Sequence, residues 1–210
     1  MPISFDTSAD LGSNGGGSAT LSKAYTNNGN TIYVGFTGDN ALDDINSVTY
    51  AGGTLQPVSK LQNIGERFAY LYVLKNCPTG AGTITITANS THYLAGVAAS
   101  YFNGGNIDNA GSVTKGTVSS LTGTVTTSQV NDWVVGYVNA NLGTVSAGAS
   151  TTLRQANAGF PNLALFDSNG SVLTIGNTTL VANDNTSNNM CMVLSSLTQQ
   201  NTGGMLQSDI

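Results

Sequence analysis

The sequence predicts an all-β fold on three observations. Turn-forming clusters of Gly, Asn, Ser and Asp interrupt the chain roughly every 8–15 residues, the spacing of short strands in a sandwich or barrel. Between the clusters, apolar and polar residues alternate with a period of two, as in Thr83–Ala88 (TITITA). No run of ten or more residues holds a 3.6-residue apolar period without a Gly or β-branched interruption, so helix should be nearly absent.

Taken in order, residues 1–17 form a Ser/Gly/Asn-rich lead-in that ends in three glycines and reads as an N-terminal arm. Ala19 to Thr26 alternates, and Asn27-Asn28-Gly29-Asn30 reads as a hairpin-type turn. Thr31 to Thr37 (TIYVGFT) places Ile32, Val34 and Phe36 on one face. Val48-Thr49-Tyr50 leads to a tight turn at Ala51-Gly52-Gly53. Arg67 to Lys75 (RFAYLYVLK) is apolar on both faces, with Phe68, Tyr70, Tyr72 and Leu74 opposite Ala69, Leu71 and Val73. Such a strand belongs in a sheet covered on both sides or at an oligomer interface.

Cys77-Pro78-Thr79-Gly80 closes that strand, and Thr83–Ala88 follows. His92 to Phe102 carries small residues that permit close approach of another backbone. Thr122–Thr127, Asp132–Asn139 (DWVVGYVN), Thr151–Arg154, Leu163–Phe166, Val172–Ile175 and Met190–Leu197 complete the strands. The expected architecture is a single antiparallel two-sheet β-sandwich, jelly-roll-like, over residues 18–198. An immunoglobulin-like sandwich is the second choice, and residues 199–210 are an exposed tail.

Composition narrows function. Charged residues make up 8% of the 210, against about 25% in an ordinary globular domain. The net charge is −5, and the four Lys and two Arg are scattered. A nucleic-acid partner would require a basic stripe, and none is present; an anionic membrane surface is a poor partner for the same reason. No stretch approaches the ~20 apolar residues of a membrane span, and the N-terminus has no signal-peptide pattern. Cys77 and Cys191 lack CxxC spacing and read as two reduced, partly buried thiols.

The order of landmarks is TIYVGF, SVTYAGGTL, YLYVL with CPTG, GTITITA, VAASYFNG, a strand opening Asp132-Trp-Val-Val-Gly136, and MCMVLSSL. Across residues 18–198 it resembles a β-sandwich module of bacterial surface proteins and phage virion accessory proteins. Asn103-Gly104-Gly105 departs from the Gly-Val-Asp turn usual there. The resemblance implies no catalytic residues. It implies a virion protein made in the host cytoplasm, foremost a capsid decoration (cement) protein that binds and stabilises the shell. The partners would be the major capsid protein or other virion proteins, and the chain would act as a homotrimer. The alternative is a tail-fibre or surface adhesin module that binds a host receptor or glycan.

Candidate chemistry is sparse, and the chain reads as no enzyme. His92 is the single His and Glu66 the single Glu, and the ten Asp residues fall mostly in turns, which leaves no carboxylate pair for glycoside hydrolysis. No Gly-x-Ser-x-Gly elbow is present. No cofactor is expected. Asp39, Asp43 and Asp44 form the one acidic cluster, a weak Ca²⁺ candidate whose spacing lacks the EF-hand pattern; a solvated loop is preferred. Trp133 shares a face with Val135 and Tyr137, which favours the core over a sugar platform. Candidate interface residues are Phe68, Tyr70, Tyr72, Tyr93, Tyr101, Met205 and Leu206, with both chain ends as arms over neighbouring subunits.

Overall fold

The computed structural model describes residues 1–39, 43–63, 67–157 and 162–200. They form strands and no helix. In chain order the strands are β1 (Ser4–Ser13), β2 (Thr20–Asn27), β3 (Thr31–Gly38), β4 (Ile45–Tyr50) and β5 (Gly53–Thr54). Next come β6 (Gln56–Gln62), β7 (Phe68–Lys75), β8 (Gly80–Ala88), β9 (Leu94–Phe102) and β10 (Gly104–Thr127). The last five are β11 (Trp133–Ala140), β12 (Val145–Ala147), β13 (Thr152–Asn157), β14 (Asn162–Asp167) and β15 (Gly176–Gln199). All pairings are antiparallel.

The doubly apolar strands occupy the middle of the stack. A central sheet runs β1-β9-β3-β7-β6. Its Ile32, Val34, Phe36 and Tyr70 pack against Leu21, Val48, Ile84 and Ile86 of an outer sheet, β2-β8-β4-β5. Its opposite face, with Tyr33, Leu71, Val73 and Val97, packs against Val135, Tyr137, Leu165 and Val193 of a base sheet, β10-β15-β11-β14-β13. Coverage on both sides explains why β3 and β9 carry nearly continuous apolar or small residues. The predicted antiparallel all-β sandwich is thus observed, with a third sheet stacked on it.

The base sheet is covered too. β10 and β15 pair over most of their 24 residues, but the ladder skips register between Lys115 and Ser120, where Thr117 adopts φ 55°. A β-branched residue in the left-handed region marks a sharp bend. Beyond it the ribbon folds back. Leu121, Val125, Leu180 and Ala182 cover Val134, Val138, Phe166 and Leu194, and a Cβ on Gly123 would lie 2.5 Å from the Met192 sulfur.

Three expectations change. Residues 4–13 of the expected N-terminal arm are β1, an edge strand of the central sheet, because Ile3 and Leu11 are apolar anchors that enter the two cores. Asn27–Asn30 is no hairpin turn: β2 pairs β8 while β3 pairs β7 and β9, so the segment carries the chain from one sheet to another. Asp6 holds that corner, accepting hydrogen bonds from the amides of Asn28 (2.8 Å) and Gly29 (3.0 Å) and from the Ser100 hydroxyl (2.8 Å). Burial alone would raise the Asp6 carboxyl; these bonds outweigh it and hold it below the usual carboxylate range. Val172–Ile175, read as a strand, is loop.

Both cysteines are free and buried, and burial pushes their thiols up to about 11 for Cys77 and about 12 for Cys191, which keeps them unreactive. Trp133 is buried against Tyr101, ring centroids 5.9 Å apart. The Tyr137 hydroxyl is buried without a partner among the described residues. Tyr137→Phe keeps the ring and removes an unpaired hydroxyl whose burial costs about 1–3 kcal/mol. Urea unfolding should find the variant as stable as the parent, or up to about 1 kcal/mol more stable.

Candidate interaction surface

The carboxylates considered for Ca²⁺ turn to separate partners. Asp39 pairs with Arg67 at 3.0 Å, Asp43 with Lys60, and Asp44 with His92 at 3.5 Å and with the Ser90 hydroxyl. No group of three metal-ligating side chains occurs among the described residues. His92 is buried and bears on Asp44. Glu66 lies outside the described residues.

The aromatic interface candidates sit largely inside the stack. Tyr70 is buried beneath the outer sheet, stacked on Phe36 at 4.8 Å and on Phe68 at 5.6 Å. Phe68 and Tyr72 are half-buried beside it, and Tyr93 is half-buried against the central–base core. Tyr101 is fully buried and donates to Asp167 at 3.0 Å. Contacts between sheets of one chain therefore account for Tyr70 and Tyr101, while Phe68, Tyr72 and Tyr93 keep part of their surface open. Met205 and Leu206 lie outside the described residues.

Among the exposed large apolar side chains, Met1, Phe102, Leu142 and Leu153 lie apart from one another in the sequence, whereas three others fall on two adjoining loops. Val130 is 54% exposed, Leu173 81% and Ile175 62%. Val130 tops the 128–132 loop between β10 and β11; Leu173 and Ile175 lie on the 168–175 loop between β14 and β15. The loops are tied together: the Asn131 amide donates to the Val172 carbonyl and the Val172 amide to the Asp132 carbonyl, both at 2.8 Å. Thr127 donates through its hydroxyl to the carbonyls of Thr174 (3.4 Å) and Gly176 (3.1 Å). Three aliphatic side chains on cross-bonded loops form one tip at the end of the base sheet. Large exposed aliphatics concentrated in this way mark contact sites.

Beneath the tip lies a polar groove of about 450 Å³ lined by Lys75, Asn106, Asp108, Gln129, Thr198 and Gln200, among others. Asp108 accepts from the Ser128 amide (2.7 Å) and hydroxyl (2.6 Å), which fastens the Val130 loop to β10. Asp132, fully buried, accepts from the Gln129 amide at 3.3 Å, and its carboxyl meets that of Asp108 at hydrogen-bonding range. Sequence reasoning missed this tip. Its one signal was three aliphatics within turn-rich segments, and Leu173 and Ile175 were absorbed into an expected strand.

No protein-family profile matches the chain, and no curated protein or solved structure matches it either.

Proposed function

We propose that this chain is a non-enzymatic virion structural protein, a capsid decoration protein that binds the major capsid protein and stiffens the shell. The observation that carries the reading is the Val130–Leu173–Ile175 tip, an aliphatic contact surface on a chain with few charges to desolvate. The stack behind it supports a mechanical role. Two apolar cores flank the central sheet and a third lies beneath the folded ribbon, so load at the tip passes into packed sheets. The burial of His92 against Asp44 supports a non-catalytic reading, since a general base must reach its substrate.

Binding to purified virions and protection of emptied shells against heat test this. The triple variant Val130→Ser, Leu173→Ser, Ile175→Ser should bind shells at least tenfold more weakly with an unchanged Tm, since exposed side chains contribute little to folding. Virions that lack the protein, or wild-type binding by the triple variant, would overturn the assignment. The amide-lined groove favours a second reading, a tail-fibre or adhesin module that takes a glycan. Saturable retention on a glycan array, lost on Gln129→Ala, would support that reading instead.

A further inference from the structure

Two carboxyl groups in contact need a positive charge between them. Asp132 is fully buried, and its Oδ1 finds no donor among the described residues. Asp108 faces it across the end of the base sheet while holding Ser128 by two bonds. The charged groups around the pair are few. Lys75 of β7 lines the same groove, but its ammonium is bonded to the Asn106 amide oxygen at 2.9 Å. Arg154 of β13 is committed to Asp167 of β14 at 2.6 Å. From β15 the pair meets the Ser196 hydroxyl, 3.4 Å from Asp108, and residues 168–175 of the neighbouring loop carry no charged side chain.

We propose that the Asp108–Asp132 pair is a proton-operated latch that fixes the Val130 loop for docking, an inference that rests on the reading of that tip as the contact surface. With Asp132 protonated, its O–H donates to Asp108. The loop is then fastened at Ser128 and at Asp132, and Val130 stands in register with Leu173 and Ile175. With both groups ionised, like charges repel in a partly dry site and the second fastening opens. The two groups are pushed apart in the sense this requires. Burial, with Asp108 opposite, raises the Asp132 carboxyl to about 6 against the pull of the Gln129 amide. Asp108, which burial alone would raise, is held below the usual carboxylate range by Ser128 and by the Asp132 carboxyl.

The sign follows from linkage. A carboxyl whose folded pKa lies above its unfolded value of 3.8 adds stability that is complete below that value and lost as pH rises to about 6. The latch itself opens with a midpoint near pH 6.

Trp133, the single Trp, directly follows Asp132 and reports on the latch without any partner. Its emission should titrate with a midpoint near pH 6 in the wild type and stay flat in Asp132→Asn, whose amide donates to Asp108 at every pH. The wild-type Tm should fall by about 4 °C more than that of Asp132→Asn between pH 4.5 and 7.5. Retention on octyl-agarose should weaken above pH 6 in the wild type alone. A Trp133 signal that is flat between pH 5 and 7, or one that titrates identically in Asp132→Asn, would overturn the latch. A rise in Tm with 5 mM CaCl₂ at pH 7.5 would overturn it too, by giving the pair to a cation. Normal titration together with failure to bind virions would remove the docking reading and leave the latch standing.

Discussion

Replacing Arg154 by methionine should lower stability by about 3–5 kcal/mol, the largest loss expected from any single polar change in this chain. Asp167 has no exposed surface, and three groups hold its carboxylate: the Arg154 guanidinium at 2.6 Å, the Tyr101 hydroxyl at 3.0 Å and the Asn169 amide at 2.8 Å. Only the first carries charge. Methionine fills a similar volume but leaves an anion in a site from which water is excluded, and two neutral donors cannot replace a cation there. The same guanidinium lies 4.3 Å from the centre of the Phe5 ring on β1 and bonds Asn169 at 3.0 Å, so its loss also loosens the edge of the central sheet. Thermal unfolding should report a Tm lower by about 10 °C. The double variant Arg154→Met, Asp167→Asn should recover most of that, because the charge that needed compensation is gone. If Arg154→Met alone cost less than about 1 kcal/mol, the pair would be acting as a solvated surface bridge.

The elements legible in the sequence were those whose burial is written into single strands. Phe68–Lys75 is apolar on both faces because it lies in a sheet covered twice, and period-two reasoning found it. Trp133 was assigned to the core from its alternation with Val135 and Tyr137, and it is there. The long ribbon was legible only in part: Thr122–Thr127 and Met190–Leu197 read as strands, whereas in 104–121 apolar residues are sparse among Ser, Thr, Asn and Gly, since much of each face meets water, and that stretch gives no strand signal. Residues 4–13 failed for the same reason: a few anchors such as Ile3, Phe5 and Leu11 hold an otherwise polar edge. The Asp108–Asp132 pair was beyond reach because its members are brought together by the return of β10 into β11, which local pattern does not encode. Turn chemistry misled at Asn27–Asn30, where the residues that build hairpins build a crossover between sheets.

Gly35 makes the tightest demand on the central–base interface. It lies on β3 between Leu71 of β7 and Val97 of β9, with the Tyr137 ring of the base sheet directly over it. A Cβ built at this glycine would stand 2.5 Å from Tyr137 Cγ and 2.8 Å from its Cβ, far inside contact distance. The root of a side chain cannot swing away as its far end can, and Tyr137 has no exposed surface into which to move. Behind it, a Cβ on Gly136 would lie 2.9 Å from Leu180, so the folded ribbon blocks retreat of the strand. Gly35→Ala therefore forces two sheets apart for the sake of one methyl group, and should cost about 3 kcal/mol, with a Tm lower by roughly 6–12 °C. The cause is separable from a general dislike of alanine at this position. On a Tyr137→Gly background both the ring and the Cβ that meet the new methyl group are gone, so Gly35→Ala should be nearly neutral there, and the double-mutant cycle should give a coupling of about 2 kcal/mol or more. Equal costs on both backgrounds would place the penalty in the backbone of β3 and would show that the two sheets do not meet through this ring.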